Sequence, residues 1–286
     1  MKVLRSVVAL ATVVTSTHIA LAQSQLGAPP IADSSTVRFL VTARAATERY
    51  RDQAVAIADG YRRVGPDLPS MGEHWVSIGR VVANELAAER PSVLMYVPNG
   101  ESALLVGVAY TAILGPGAPY PSFPPGASAP WHEHNGSVDE EALPLLHVRH
   151  SAPSDTAAVR ARLAILHVWL WQENPAGLWT ADNWALPFVR AGLQPPASPD
   201  ASARALALAM GSAEYYVGVM TAIAHLGPQQ REVARTLLHV AADSARAAGG
   251  DLPSLRRVWN DLWLRLDEQL PAASMARLAP LRDAWR

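Results

Sequence analysis

The chain has no cysteine in 286 residues. That excludes disulfides, thiolate metal ligands, cysteine nucleophiles and a lipid-modified N-terminal cysteine, so the core alone must hold the fold. Charge is also scarce: 17% of residues are Asp, Glu, Lys or Arg, and the formal net charge is −1. So even a balance lacks the concentrated basic surface that phosphate backbones demand, which argues against a nucleic-acid partner and against a polybasic membrane-surface role. No apolar run approaches the about 20 residues of a transmembrane helix. Several signatures are missing as well. There is no His-Glu-x-x-His helix, no Gly-x-Ser-x-Gly elbow, no phosphate-binding glycine loop and no repeat of fixed period.

What is present begins with a targeting signal. Lys2 and Arg5 precede an apolar run from Val7 to Val14, and Ala20-Leu21-Ala22 offers small residues where a signal peptidase reads. Residues 1–22 therefore read as a cleavable secretory signal peptide with Gln23 as the new N-terminus. The expectation is an exported protein, periplasmic or secreted, with no stable membrane insertion after cleavage. Half of the residues are hydrophobic, enough for a sizeable core in one large or two modest domains.

Residues 23–36, with Pro29-Pro30, read as a flexible lead-in. From Val37 to Val64 the pattern is helical: Tyr50, Ala54, Ile57, Tyr61 and Val64 recur at helical spacing, and Gly65-Pro66 would stop the helix. Ser92–Pro98 and Ala103–Leu114 are apolar, β-forming runs joined through Asn99-Gly100, a strong hairpin signal, so Val93–Ile113 is expected as an antiparallel hairpin. The proline-rich stretch 115–130 reads as a semi-extended loop. Trp131–Asn135 and Ala164–Trp171 look strand-like, and Glu173–Gly177 has turn chemistry. After the second proline-rich stretch, Gln194–Pro199, helices are expected over Ala201–Leu226 and Gln229–Ala248. Two further stripes follow, the first through Leu255, Val258, Trp259, Leu262 and Leu266 and the second through Leu278, Leu281 and Trp285. The expected class is α+β: a long N-terminal helix, a small antiparallel sheet or barrel-like core, and a C-terminal helical bundle. Residues 37–193 would form the core that carries the histidines, and residues 200–286 the helical region.

Chemistry concentrates in four groups: Gly72-Glu73-His74-Trp75-Val76, Trp131-His132-Glu133-His134, His167-Val168-Trp169-Leu170-Trp171, and Asn174-Pro175-Ala176-Gly177 with Asn183. In an extended segment His132 and His134 share a face with Cα atoms about 7 Å apart, close enough for both rings to meet one ion. His167 lies in a run that is apolar on both faces, where a polar ring needs a hydrogen bond or a ligand. His74, His132, His134 and His167 could together supply three or four nitrogen ligands to one divalent transition metal ion, and imidazoles suit Zn, Cu, Fe or Ni alike. Glu73 or Glu133 would add a ligand, a partner for one, or a general base. Most of the nine tryptophans stand near these groups, which suggests a Trp-lined cavity. His147, His150, His225 and His239 carry less. Neither His225 nor His239 has a Glu three residues before it, so the Glu-x-x-His pattern of di-iron bundles is absent.

The combination of GEHWV (72–76), WHEH (131–134) and HVWLWQENPAGLW (167–179) resembles a family of uncharacterised exported bacterial proteins with Gly-Glu-His-Trp, Trp-His-x-His and His-x-Trp…Asn-Pro-x-Gly blocks. The resemblance covers about residues 45–187 and implies no particular activity. A weaker likeness is to cupins, whose barrels carry His-x-His, a carboxylate and a later histidine. His132, His134, Asp139 or Glu140, and His167 would mimic that set, but the glycine and proline framing differs and a large helical tail is untypical.

Two functions follow as expectations. In one, the histidines ligate a metal ion; an open coordination position would let it polarise a substrate or acidify a bound water. In the other, the protein is a non-catalytic small-molecule-binding or structural protein whose histidines pack, with the C-terminal helices available for oligomer assembly.

Overall fold

The computed structural model describes residues 34–100, 102–125, 129–133, 161–197, 199–211 and 213–283. The expected signal peptide lies outside them, as do His134, Asp139, Glu140, His147 and His150. The chain is α+β, with a curled six-stranded antiparallel half-barrel and C-terminal helices.

The expected hairpin is the centre of the sheet. Strands β3 (Val93–Asn99) and β4 (Ser102–Leu114) pair from Asn99 opposite Ser102 to Val93 opposite Ala109. A register shift between Met95 and Tyr96, the mark of a bulge, bends the pair. Strands β1 (Arg62–Leu68), β2 (Gly72–Val76), β5 (His132–Glu133) and β6 (Arg162–Val168) complete the order β1-β2-β3-β4-β6-β5. The two central strands are apolar on both faces because both faces are covered. On one face Leu94, Tyr96, Val108, Tyr110, Leu166 and Val168 pack with Phe39 and Ala43 of helix α1 (Ser34–Thr47). Burial pushes the Tyr61, Tyr96 and Tyr110 phenols well above their ordinary range. Each donates to a backbone carbonyl, those of Pro91, Tyr50 and Ala88 respectively.

The expected helix over 37–64 is in fact several elements. After α1 come a 3-10 turn at Glu48–Arg51 and a short α2 (Gln53–Ala58), and then the chain turns into β1. Asp52 causes the break: it is extended, and its carboxylate accepts from the Ala54 N–H to start α2. Gly60, at φ +88°, turns the chain toward the sheet. The apparent stripe joined residues of unrelated elements, since Tyr50 and Tyr61 are buried while Ile57 and Val64 are 41% and 52% exposed. Gly65-Pro66 falls inside β1, an edge strand that tolerates proline.

Helix α3 (Ile78–Ala83) follows β2, and a short α4 (Leu186–Arg190) precedes the helical region. There α5 (Ala201–Met210), α6 (Ala213–Ala224), α7 (Pro228–Ala248), α8 (Leu252–Gln269) and α9 (Ala272–Asp283) share one core with Met71, Trp184 and Phe188. The expected helix over 201–226 is divided at Gly211, where a Cβ would stand 2.4 Å from the Pro69 ring. Arg190 forks onto Asp67 at 2.6 and 2.8 Å and so fixes α4 to β1.

Candidate functional site

Alternation along the strands places the histidines. His74 is paired with Met95, Met95 with Gly107, Ala109 with His167, and Ile165 with His132. Cα partners share a face, and residues two apart on a strand do so too, so His74, His132 and His167 all lie on the face opposite α1. Val76, Val93, Ala109 and Ile165 form one apolar patch on this face, and Met95, Val97, Val106, Trp169 and Leu186 form another.

His74 and His167 sit on strands separated by β3 and β4, which on a flat sheet would hold them about 14 Å apart. The curl closes that gap, and their Nε2 atoms stand 3.4 Å apart. The ring of His132 meets His167 edge-on, with centroids 5.0 Å apart, and the His74–His167 centroid distance is 5.4 Å. Small residues beneath make room. Gly107 has no side chain where a Cβ would stand 2.5 Å from the Met95 methyl and 2.9 Å from the Val168 carbonyl oxygen. His167 is fully buried, His132 is 8% exposed and His74 is half-buried, so the cluster meets solvent at His74.

The tautomer of His167 follows from its other nitrogen. Nδ1 faces the Ala181 carbonyl, which can only accept, so Nδ1 carries the proton and Nε2 turns its lone pair toward His74. The loop that presents Ala181 is held from both sides. Asn174 Nδ2 donates to the Thr180 hydroxyl at 2.6 Å and to the Asp182 carbonyl at 2.8 Å. Asn183 donates through Nδ2 to the Glu173 carbonyl, and its backbone N–H donates to the Ser70 carbonyl at 2.8 Å. The asparagines of the fourth sequence group thus act on His167 through the main chain between them.

The two glutamates stand elsewhere. Glu73 alternates to the α1 face, where it pairs with Arg63 at 2.7 Å and accepts from Trp75 Nε1 at 3.0 Å. Glu133 also faces away from the cluster, bound by Arg162 and Tyr120. Of the tryptophans, Trp169 lies beside His167 with centroids 6.3 Å apart, its indole N–H on the Thr180 carbonyl. Trp75, Trp131, Trp171 and Trp179 pack into the core on the α1 face, and Trp184 joins the helical core. His239 lies on α7, its Nε2 3.0 Å from Glu214, far along the chain from this cluster.

Two nitrogens that bind one ion tetrahedrally at about 2.0–2.1 Å lie about 3.3–3.5 Å apart. The His74–His167 separation falls in that range, and the carbonyl behind His167 is the usual outer partner of a ligating histidine. As the rings stand, no group of three or more His, Asp or Glu side chains among the described residues is arranged to hold an ion. No protein-family model, curated protein or solved structure matches the chain.

Proposed function

We propose that this is an exported metal-binding protein in which His74 and His167 hold one transition metal ion across the curled sheet. His132 of β5 would join that ligand set, with His134, two residues further along the sequence, as its fourth member. The observation that carries this reading is the 3.4 Å approach of two Nε2 atoms from strands with two others between them in the sheet, one of them with its lone pair fixed by the Ala181 carbonyl. Three imidazoles gathered on a face of otherwise apolar residues form a cluster of nitrogen donors of the kind that transition metal ions take. The proposal gives Glu73 and Glu133 no part in chemistry, because both are engaged on the other face.

The test is a calorimetric titration of chelator-treated protein with Zn, Cu, Fe and Ni salts. One equivalent should bind, and His74→Ala and His167→Ala should each abolish that binding. Binding that persists unchanged in both variants would place the ion elsewhere.

A further inference from the structure

Two imidazoles alone do not select among metals, so the side chains of the two strands between them bear on the choice. Met95 is the Cα partner of His74 on β2 and of Gly107 on β4. It is fully buried on the histidine face. Its methyl lies over Gly107, at the spot where a β-carbon would be 2.5 Å away. The side chain therefore leaves β3 and crosses toward β4 on the face that carries His74 and His167, with its thioether one bond short of that methyl. Ala109, the partner of His167, is two residues from Gly107 on the same face, so β4 carries the landing point of Met95 and the neighbour of His167 side by side. Gly107 is what permits it: any β-carbon there would also meet the Val168 carbonyl at 2.9 Å, a backbone atom that cannot step aside.

We infer that the ion is copper in its cuprous state, and that the Met95 thioether is a donor alongside His74 and His167; this rests on the metal-site reading above. Thioethers are soft ligands that favour Cu(I), whereas Zn, Ni and ferrous iron take imidazole without them. The chain has no cysteine, so methionine is its soft donor, and Met95 is the methionine paired with a cluster histidine. A thioether sulfur beside imidazole nitrogens is a mixed donor set that suits cuprous ion.

The experiment compares wild type with Met95→Leu, a volume-conserving change that leaves the core filled. Cuprous ion is supplied under anaerobic conditions and partitioned against a chromophoric cuprous chelator, and zinc affinity is measured in parallel. Met95→Leu should weaken cuprous binding by about tenfold or more, at least what loss of an outer contact costs, with zinc affinity and thermal midpoint unchanged. Cuprous affinity equal to wild type would remove the thioether and overturn the inference, while the histidine site stood. A wild-type protein that binds zinc but not cuprous ion would do the same. Failure to bind either metal would bring down the site itself.

Discussion

Single residues decide the site. His167 is fully buried with Nδ1 bonded to the Ala181 carbonyl, so His167→Ala leaves both a void and an unpaired carbonyl. It should cost about 2–3 kcal/mol in urea unfolding. His74 is half-buried at the solvent side, and His74→Ala should cost less than half as much while removing metal equally well. That contrast separates ligation from packing. Gly107→Ala should destabilise by about 1–3 kcal/mol, because the new methyl meets a backbone oxygen as well as the Met95 methyl. A wild-type unfolding midpoint in that variant would mean that the strands are less closely apposed there. His74, His132 and His167 were visible in the sequence as polar rings beside tryptophans. Gly107 and Met95 were not: in a run such as ALLVGVAYTAIL, or SVLMYVP before it, nothing distinguishes a glycine that clears space or a methionine that crosses it from ordinary strand residues.

Whole elements follow from short local signals. The hairpin was legible because Asn-Gly between two β-forming runs leaves few alternatives, and the observed register begins where that turn puts it. The sequence suggests one long N-terminal helix because helical spacing runs on across Asp52, whose capping carboxylate starts a new helix; a single Asp among many polar residues does not announce that role. Helix α5 shows the same device more plainly. Asp200 accepts from the Ser202 and Ala203 N–H groups and binds Arg256 at 2.7 Å. Partial burial works against its charge, yet the Ser202 and Arg256 contacts hold its carboxyl below the ordinary range. A carboxyl so lowered stabilises the fold above its unfolded pKa and loses that contribution as pH falls through the folded value. Asp200→Ala should thus cost about 1 kcal/mol at neutral pH, with the difference from wild type shrinking in acid below about pH 4. Urea titrations of both proteins at pH 7 and pH 3 check this; a difference that stays constant would assign the effect to something other than charge.

For the whole molecule, the sheet and the C-terminal helices are joined through shared burial. Met71, Trp184 and Phe188 come from the sheet's loops and α4, yet they lie in the helical core. A chain ending before Asp200 would expose all three and should fail to fold, as read by loss of cooperative thermal unfolding. Composition pointed to a large core and the order of patterned segments to the α+β class, but neither to this joint, because no local pattern marks a loop residue as belonging to a distant helix bundle. The proposed ion would act at this scale as well, tying β2 to β6 across two intervening strands. At about 100 times its dissociation constant it should add about 2.7 kcal/mol to stability, with slower amide exchange in β2 and β6.

The central claim is that the histidine pair holds a metal. Its most direct test is the elemental content of untagged protein purified without chelator, wild type beside His74→Ala. The account predicts close to one equivalent of metal in wild type, copper foremost, and almost none in the variant. Wild-type protein that arrives metal-free and takes up no added Cu, Zn, Fe or Ni would contradict it.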